Sequence, residues 1–134
     1  MPEAIYAGGC SCGAVRYSVD APLGKLCWCH CTSCRRASGA AAVPWGTCAT
    51  SAFRVTRGAL ALYRSSERVR RGFCAACGTS LTYQHEDRPA EIDITLATLA
   101  DAAEVAPESH VWVEDKLPWE MIGDGLPQYP RGFP

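Results

Sequence analysis

Apolar and polar residues alternate with a period of two along much of this chain. Val15, Tyr17 and Val19 stand against Arg16 and Ser18, Phe53 and Val55 against Arg54 and Thr56, and Ile92, Ile94 and Leu96 against Asp93 and Thr95. Leu81, Tyr83 and His85 recur at the same spacing in SLTYQH. Side chains two apart share one face of a strand, so each run predicts a half-buried β-strand. Glycine and proline interrupt the runs at Gly8, Gly9, Pro22, Gly24, Pro44, Gly46, Gly58, Gly72, Pro89 and Pro107, which leaves little continuous length for helices. The exception is TSCRRASG, where Thr32 or Ser33 can cap the start of one or two helical turns and Gly39 can end them. The expected class is mostly β with one short helical segment.

With 134 residues the chain has the size of one domain, and a single domain over residues 1–134 is expected. Its 48% hydrophobic content, 20% charged content and net charge of -1 are those of a folded globular protein, which excludes a disordered or collagen-like chain. The proline-rich tail LPQYPRGFP, within residues 120–134, is expected to be non-regular, either loosely ordered or packed on the body through Tyr129 and Phe133. No apolar stretch approaches the roughly 20 residues of a membrane span. MPEAIYAGG lacks the basic start and apolar core of an export signal, so the expected location is the cytoplasm, without a membrane partner.

Charge is uneven within this neutral total. Residues 54–71 carry a local sum of +5 from Arg54, Arg57, Arg64, Arg68, Arg70 and Arg71 against Glu67, whereas residues 86–124 sum to -9. These faces either neutralise each other across the sheet or form an anion pocket, since 11 of the 13 basic residues are arginines suited to bidentate carboxylate recognition. The near-zero total gives no support for bulk nucleic-acid binding.

Nine cysteines change the picture most. An odd count in a chain long enough for a real core argues against a secreted disulfide framework and for metal ligation in a reducing compartment. Seven of them fall in three clusters: Cys10 and Cys12 (CxC), Cys29, Cys31 and Cys34 (CxCxxC), and Cys74 and Cys77 (CxxC followed by Gly78). Soft thiolates in these spacings select zinc before an iron–sulfur cluster. Two closed four-ligand sites need eight donors, so seven leave one site a ligand short. The natural partition joins the doublets, Cys10, Cys12, Cys74 and Cys77, into a closed structural site and leaves Cys29, Cys31 and Cys34 as a three-ligand site able to react. A second partition also stands: an extended CWCHC would set Cys27 beside Cys29 and Cys31 and close the second site. Cys48 in PWGTC is a further candidate to close it, although an isolated cysteine in a β protein is more often a small buried hydrophobe. CAAC lacks the βαβ context of a thioredoxin motif, and no H-x-E accompanies a PCxxC pair as a deaminase requires.

The segments GGCSCGAVRY, CHCTSCRRASGA, the tryptophan of VPWG, YRSSERVRRGFCAACGTSL, EIDITLATL and PESHVWVEDKLPW through LPQYP run in this order over nearly the whole chain. In them the sequence resembles the family of glutathione-dependent formaldehyde-activating enzymes, which shares its domain with centromere protein V. The resemblance implies a zinc-stapled, mostly antiparallel β-tent fold with two Zn2+ per chain, the doublets structural and Cys29, Cys31 and Cys34 catalytic. Cys27 is not among the family's seven motif cysteines. The implied activity is that of a carbon–sulfur lyase or synthase acting on glutathione or a related thiol adduct, S-hydroxymethylglutathione synthase-like, with formaldehyde as the family's default electrophile. The alternative is a non-catalytic zinc module for protein or nucleic-acid interaction, to which Cys27 and the Arg64–Arg71 stretch point.

Residue chemistry fits the enzyme reading. Three anionic donors leave a zinc ion a mild Lewis acid, better suited to holding an incoming thiolate, which coordination deprotonates, than to making hydroxide. Arg35 and Arg36 follow the last ligand and either grip a substrate carboxylate or lie on the surface. Trp45, His110 and Trp112 either pack or line a pocket. His30, between two ligands, points away from the sulfurs on a strand, as a supporting donor rather than a ligand. Asp115 and Lys116 form a structural pair or a proton relay.

Overall fold

A computed structural model describes residues 5–134. Ten strands, one helix and a few 3-10 turns follow in the order β1 (Tyr6–Gly9), β2 (Arg16–Val19), β3 (Gly24–Cys29), α1 (Thr32–Ser38), β4 (Val43–Ala49), β5 (Phe53–Arg57), β6 (Ala61–Ser66), β7 (Val69–Phe73), β8 (Ser80–His85), β9 (Glu91–Thr95) and β10 (Ser109–Val111). The mostly β class is as the alternation predicts. Strands β1, β2 and β5 form a small antiparallel sheet, and the other seven form a second sheet in the order β10-β3-β4-β9-β8-β7-β6. Every pair in the larger sheet is antiparallel except β10 on β3.

The larger core lies between the two sheets. Tyr17 and Val19 of β2 meet Cys48, Leu81, Ile92 and Ile94 of the large sheet, all within 5% of full burial. Cys48 is one of these packed hydrophobes, as its isolation in the sequence implies. A smaller apolar cluster on the opposite face of the large sheet gathers Cys27, Cys29, Cys34, Val43, Trp45 and Val111. Both faces of this sheet are therefore covered around β3, β4 and β9, which distinguishes that part from a half-solvated sheet with polar residues outward, while edge strand β6 is exposed.

The alternation fails at one strand. Leu81 and Tyr83 are two apart yet pack in different clusters, Leu81 between the sheets and Tyr83 with the cysteines. The pairing explains it: Gly72 faces Thr82 and Phe73 faces Ser80, so Leu81 is an extra, unpaired residue. Such a bulge turns the following side chains to the other face.

The helix occupies the expected segment, with a different start. Cys31, not Thr32 or Ser33, is the N-cap, its sulfur accepting from the Cys34 amide at 3.3 Å. Gly39 ends the helix at φ 69, with its amide on the Arg35 carbonyl at 2.7 Å. The tail is hydrogen-bonded along β10: the His110 amide donates to Pro127, the Tyr129 amide to His110, and the Trp112 amide to Arg131, at 2.8, 2.8 and 2.9 Å. The Tyr129 and Phe133 rings lie 6.2 Å apart.

Since Ile94 is fully buried between the sheets, Ile94→Ala is expected to cost about 2–5 kcal/mol. Leu62→Ala, at a side chain 56% exposed on edge strand β6, should stay within about 0.5 kcal/mol. Urea unfolding of the two variants checks the assignment of core and edge.

Candidate metal centres

Two turns build the first cysteine cluster. After β1 the chain reverses through Cys10 and Cys12, with the Gly13 amide on the Cys10 carbonyl and Gly13 at φ 84. Between β7 and β8 it reverses through Cys74 and Cys77, with the Gly78 amide on the Cys74 carbonyl and Gly78 at φ 82. Only glycine takes these backbone angles without cost, so the glycine after each pair is what lets both sulfurs face inward. The four sulfurs lie within 4.8 Å of one another, with Cys10 to Cys12 at 3.7 Å and Cys12 to Cys74 at 3.8 Å. Four sulfurs each about 2.3 Å from one ion would stand about 3.8 Å apart, so the spacing suits a tetrahedral metal. Amides already point at them: Val15 donates to the Cys10 sulfur at 3.2 Å. The Thr79 hydroxyl, 3.2 Å from Cys77, and then backbone amides hold the Cys77 thiol down to about 5.

Cys29, at the end of β3, joins Cys31 and Cys34 at the start of α1 in a second cluster, the three sulfurs within 4.8 Å of one another. Bonds from the Cys29 and Cys34 thiols hold Cys31 far below the usual thiol range, while the same contact with Cys31 drives Cys29 far above it. One sulfur can ionise and its neighbours then cannot, unless a cation joins them. That donor set suits a soft divalent metal. Cys27 shares the strand face with Cys29, but its sulfur is outside the group of three. Burial, then the nearby Asp93 carboxylate, pushes the Cys27 thiol up to about 12. The chain leaves the strand after Cys29, so the extended CWCHC that would align Cys27 with Cys31 does not form.

The three-cysteine cluster lies in a cleft of about 650 Å³. Its floor is one face of the large sheet. Register places Thr47, Asp93, Tyr83 and Arg71 side by side on β4, β9, β8 and β7. The Thr47 hydroxyl donates to Asp93 Oδ1 at 2.6 Å. The Arg71 guanidinium reaches over the Tyr83 ring, 5.0 Å from its centroid, to the Cys34 sulfur. Lys25 and Arg88 line the cleft and both bind Glu91, at 3.1 and 2.8 Å. Trp45, Val111, Trp112 and Phe133 supply apolar wall. Lys25 at φ 48 and Trp112 at φ 58, the two non-glycine residues in the left-handed region among those described, both line it. Strain of this kind concentrates at functional sites.

Of the supporting residues singled out from sequence, Trp45 lines the cleft, whereas Arg35, Arg36 and His110 are not among its lining residues. Arg36 is exposed, and Arg35 turns back to the Thr32 hydroxyl at 3.3 Å. His110 faces the other side of β10. Its Nδ1 meets His30 Nε2 at 2.8 Å and its Nε2 meets Asp124 Oδ2 at 2.7 Å. His30 thus points away from the sulfurs, and the pair of imidazoles ties the cysteine loop to the tail. Asp115 lines the cleft, while the Lys116 ammonium donates to the Leu117 and Glu120 carbonyls. Arg71, Tyr83, Asp93 and Thr47 were not singled out from sequence as members of this site: Arg71 was counted within the basic stretch, and Asp93 stood on the polar side of the EIDIT alternation.

Asp93 gives a pH test. Burial raises its carboxyl above the ordinary value of 3.8, against the opposing Thr47 bond. A raised folded value means protonation favours the fold: the contribution is full below 3.8 and is lost as pH rises through the folded value. Asp93→Asn should therefore gain stability relative to wild type as pH rises across that range, read by urea unfolding of both proteins. A pH-independent difference would show an ordinary carboxylate.

The family model for glutathione-dependent formaldehyde-activating enzyme matches residues 5–115, a span that holds both cysteine clusters and the cleft floor. A crystal structure of a Rhodobacter sphaeroides protein is similar at 25% sequence identity and a TM-score of 0.63, over 92% of this chain and 98% of that one. No curated protein matches the chain. With its cysteine spacing, its fold and this match in agreement, the chain belongs to the family of glutathione-dependent formaldehyde-activating enzymes.

Proposed function

We propose that the chain is a zinc-dependent carbon–sulfur lyase or synthase that makes or cleaves a hydroxymethyl-type adduct of glutathione or a related thiol. The observation that carries this reading is the contrast between the two cysteine clusters. One has four sulfurs held between two turns; the other has three and faces the cleft. Zinc bound by Cys29, Cys31 and Cys34 would supply one further coordination position, suited to taking up a thiol and keeping it ionised.

The chain's own residues then have distinct tasks. Trp45, Val111, Trp112 and Phe133 shed water from the cleft, so that a small aldehyde meets the sulfur in a medium where charge is felt strongly. Lys25 and Arg88 stand where the carboxylates of a peptide thiol can exchange with Glu91. Asp93, with Oδ1 engaged by Thr47, can give a proton from Oδ2 to the aldehyde oxygen as the carbon–sulfur bond forms, and is reprotonated from solvent as the product leaves. Cleavage reverses both transfers. Cys10, Cys12, Cys74 and Cys77 would hold the second zinc as a staple. All nine cysteines are free thiols, which suits a reducing compartment such as the cytoplasm.

The alternative, a non-catalytic zinc module, drew on Cys27 and the arginine-rich stretch. Cys27 stands outside the three-sulfur group, while Arg64 and Arg70 lie 3.7 and 3.8 Å from Glu86 and Arg68 lies 2.8 Å from Asp87. Those arginines are engaged by acids, which favours the enzyme reading.

Zinc-loaded protein should condense formaldehyde with glutathione, followed by the loss of free thiol. Substitutions near a metal's ligands already cost about 10–100-fold, so Cys31→Ser should lose more than about a hundredfold in kcat/KM while unfolding cooperatively. Cys74→Ser should instead fail to fold, because structural zinc contributes on the order of 10–16 kcal/mol. Full turnover by folded Cys31→Ser protein would remove the reading.

A further inference from the structure

We propose that Arg71 is a specificity-determining residue that makes the three-cysteine centre accept sulfur in its anionic form, by offsetting the charge a fourth thiolate brings. The inference rests on the reading that this centre takes a thiol. Arg71 is only 7% exposed. Its Nη1 and Nη2 lie 3.8 and 3.7 Å from the Cys34 sulfur, its Nε donates to the Ser65 hydroxyl at 3.3 Å, and its Cζ lies over the Tyr83 ring, 5.0 Å from the centroid. Neighbouring Arg64, Arg68, Arg70 and Arg88 each face a carboxylate; among the described residues none pairs with Arg71. A buried guanidinium without a partner is strongly disfavoured, so the cysteine sulfurs are its counter-charge.

Charge counting gives the consequence. Three thiolates and a divalent ion sum to one negative charge, and Arg71 brings the group to zero. A fourth thiolate then leaves a single negative charge instead of two in a half-buried site. Without Arg71 the centre should favour a neutral occupant. Lysine would not substitute fully, because a planar fork can set two N–H groups on one sulfur while stacking on a ring.

The test is calorimetric titration of zinc-loaded protein with glutathione and with S-methylglutathione, which keeps the peptide but has no free thiol. Wild type should bind glutathione at least tenfold more tightly with zinc than without it and release one proton, measured in buffers of different ionisation enthalpy. Arg71→Gln should keep its zinc, lose at least tenfold in glutathione affinity and leave S-methylglutathione binding unchanged, with Arg71→Lys between. In cobalt-substituted wild type, glutathione should add sulfur-to-metal charge-transfer intensity, and Arg71→Gln should need far more thiol for the same gain. Glutathione binding unchanged in Arg71→Gln, or an equal loss for both ligands, would overturn the role of Arg71 and leave the thiol reading standing. If the variants do not hold zinc, wild type decides: binding without proton release overturns the inference. A glutathione affinity in wild type that zinc removal leaves unchanged would sink the underlying reading and this inference with it.

Discussion

Four thiols converge from the two ends of the fold, Cys10 and Cys12 beyond the small sheet's β1 and Cys74 and Cys77 at a turn of the large sheet. Sulfurs this close cannot all carry charge beside one another without a cation, and cannot all stay protonated if they are to attract one. A single ion in the middle would resolve both demands. Because the doublets belong to different sheets, an ion shared between them would also fix how the sheets face each other, and so the depth of the core that holds Tyr17, Ile94 and Leu81. Small sheets of four-residue strands have little apolar area to hold that arrangement alone.

The second cluster depends on this frame without sharing its geometry. Its sulfurs come from a strand end and the first turn of a seven-residue helix, local features that the chain builds within six residues. What surrounds them is assembled from afar. Thr47, Asp93, Tyr83 and Arg71 come from four strands and stand in one row because the sheet sets them in register. The tail supplies Phe133 to the wall, beyond the stretch matched by the family model. The cysteine centre thus lies within the family-matched span, while part of the cleft wall comes from residues after it.

Much of the fold was legible because its causes are local. Period-two alternation marked β2, β5 and β9, glycine marked the turns that carry the four-cysteine cluster, and CxC, CxCxxC and CxxC spacing marked both clusters before any contact was known. The expectations that needed revision depended on pairing. The Leu81 bulge turned Tyr83 to the other face, and the strand ended at Cys29, so that Cys31 capped a helix and Cys27 was left aside. Arg71 was counted with the whole basic stretch, read as neutralising the acidic face or as an anion pocket; what separates it from Arg70 is the face of β7 on which it lies.

The amino-acid order by itself therefore determined the strand class and the three local cysteine clusters, since each follows from spacing along one chain segment, and left open whether Cys27 closed the second site. The tertiary structure decided which polar face was water and which was cleft. A second layer packed on the sheet turns an outward residue into a buried one, and nothing in a strand's own pattern records what lies above it.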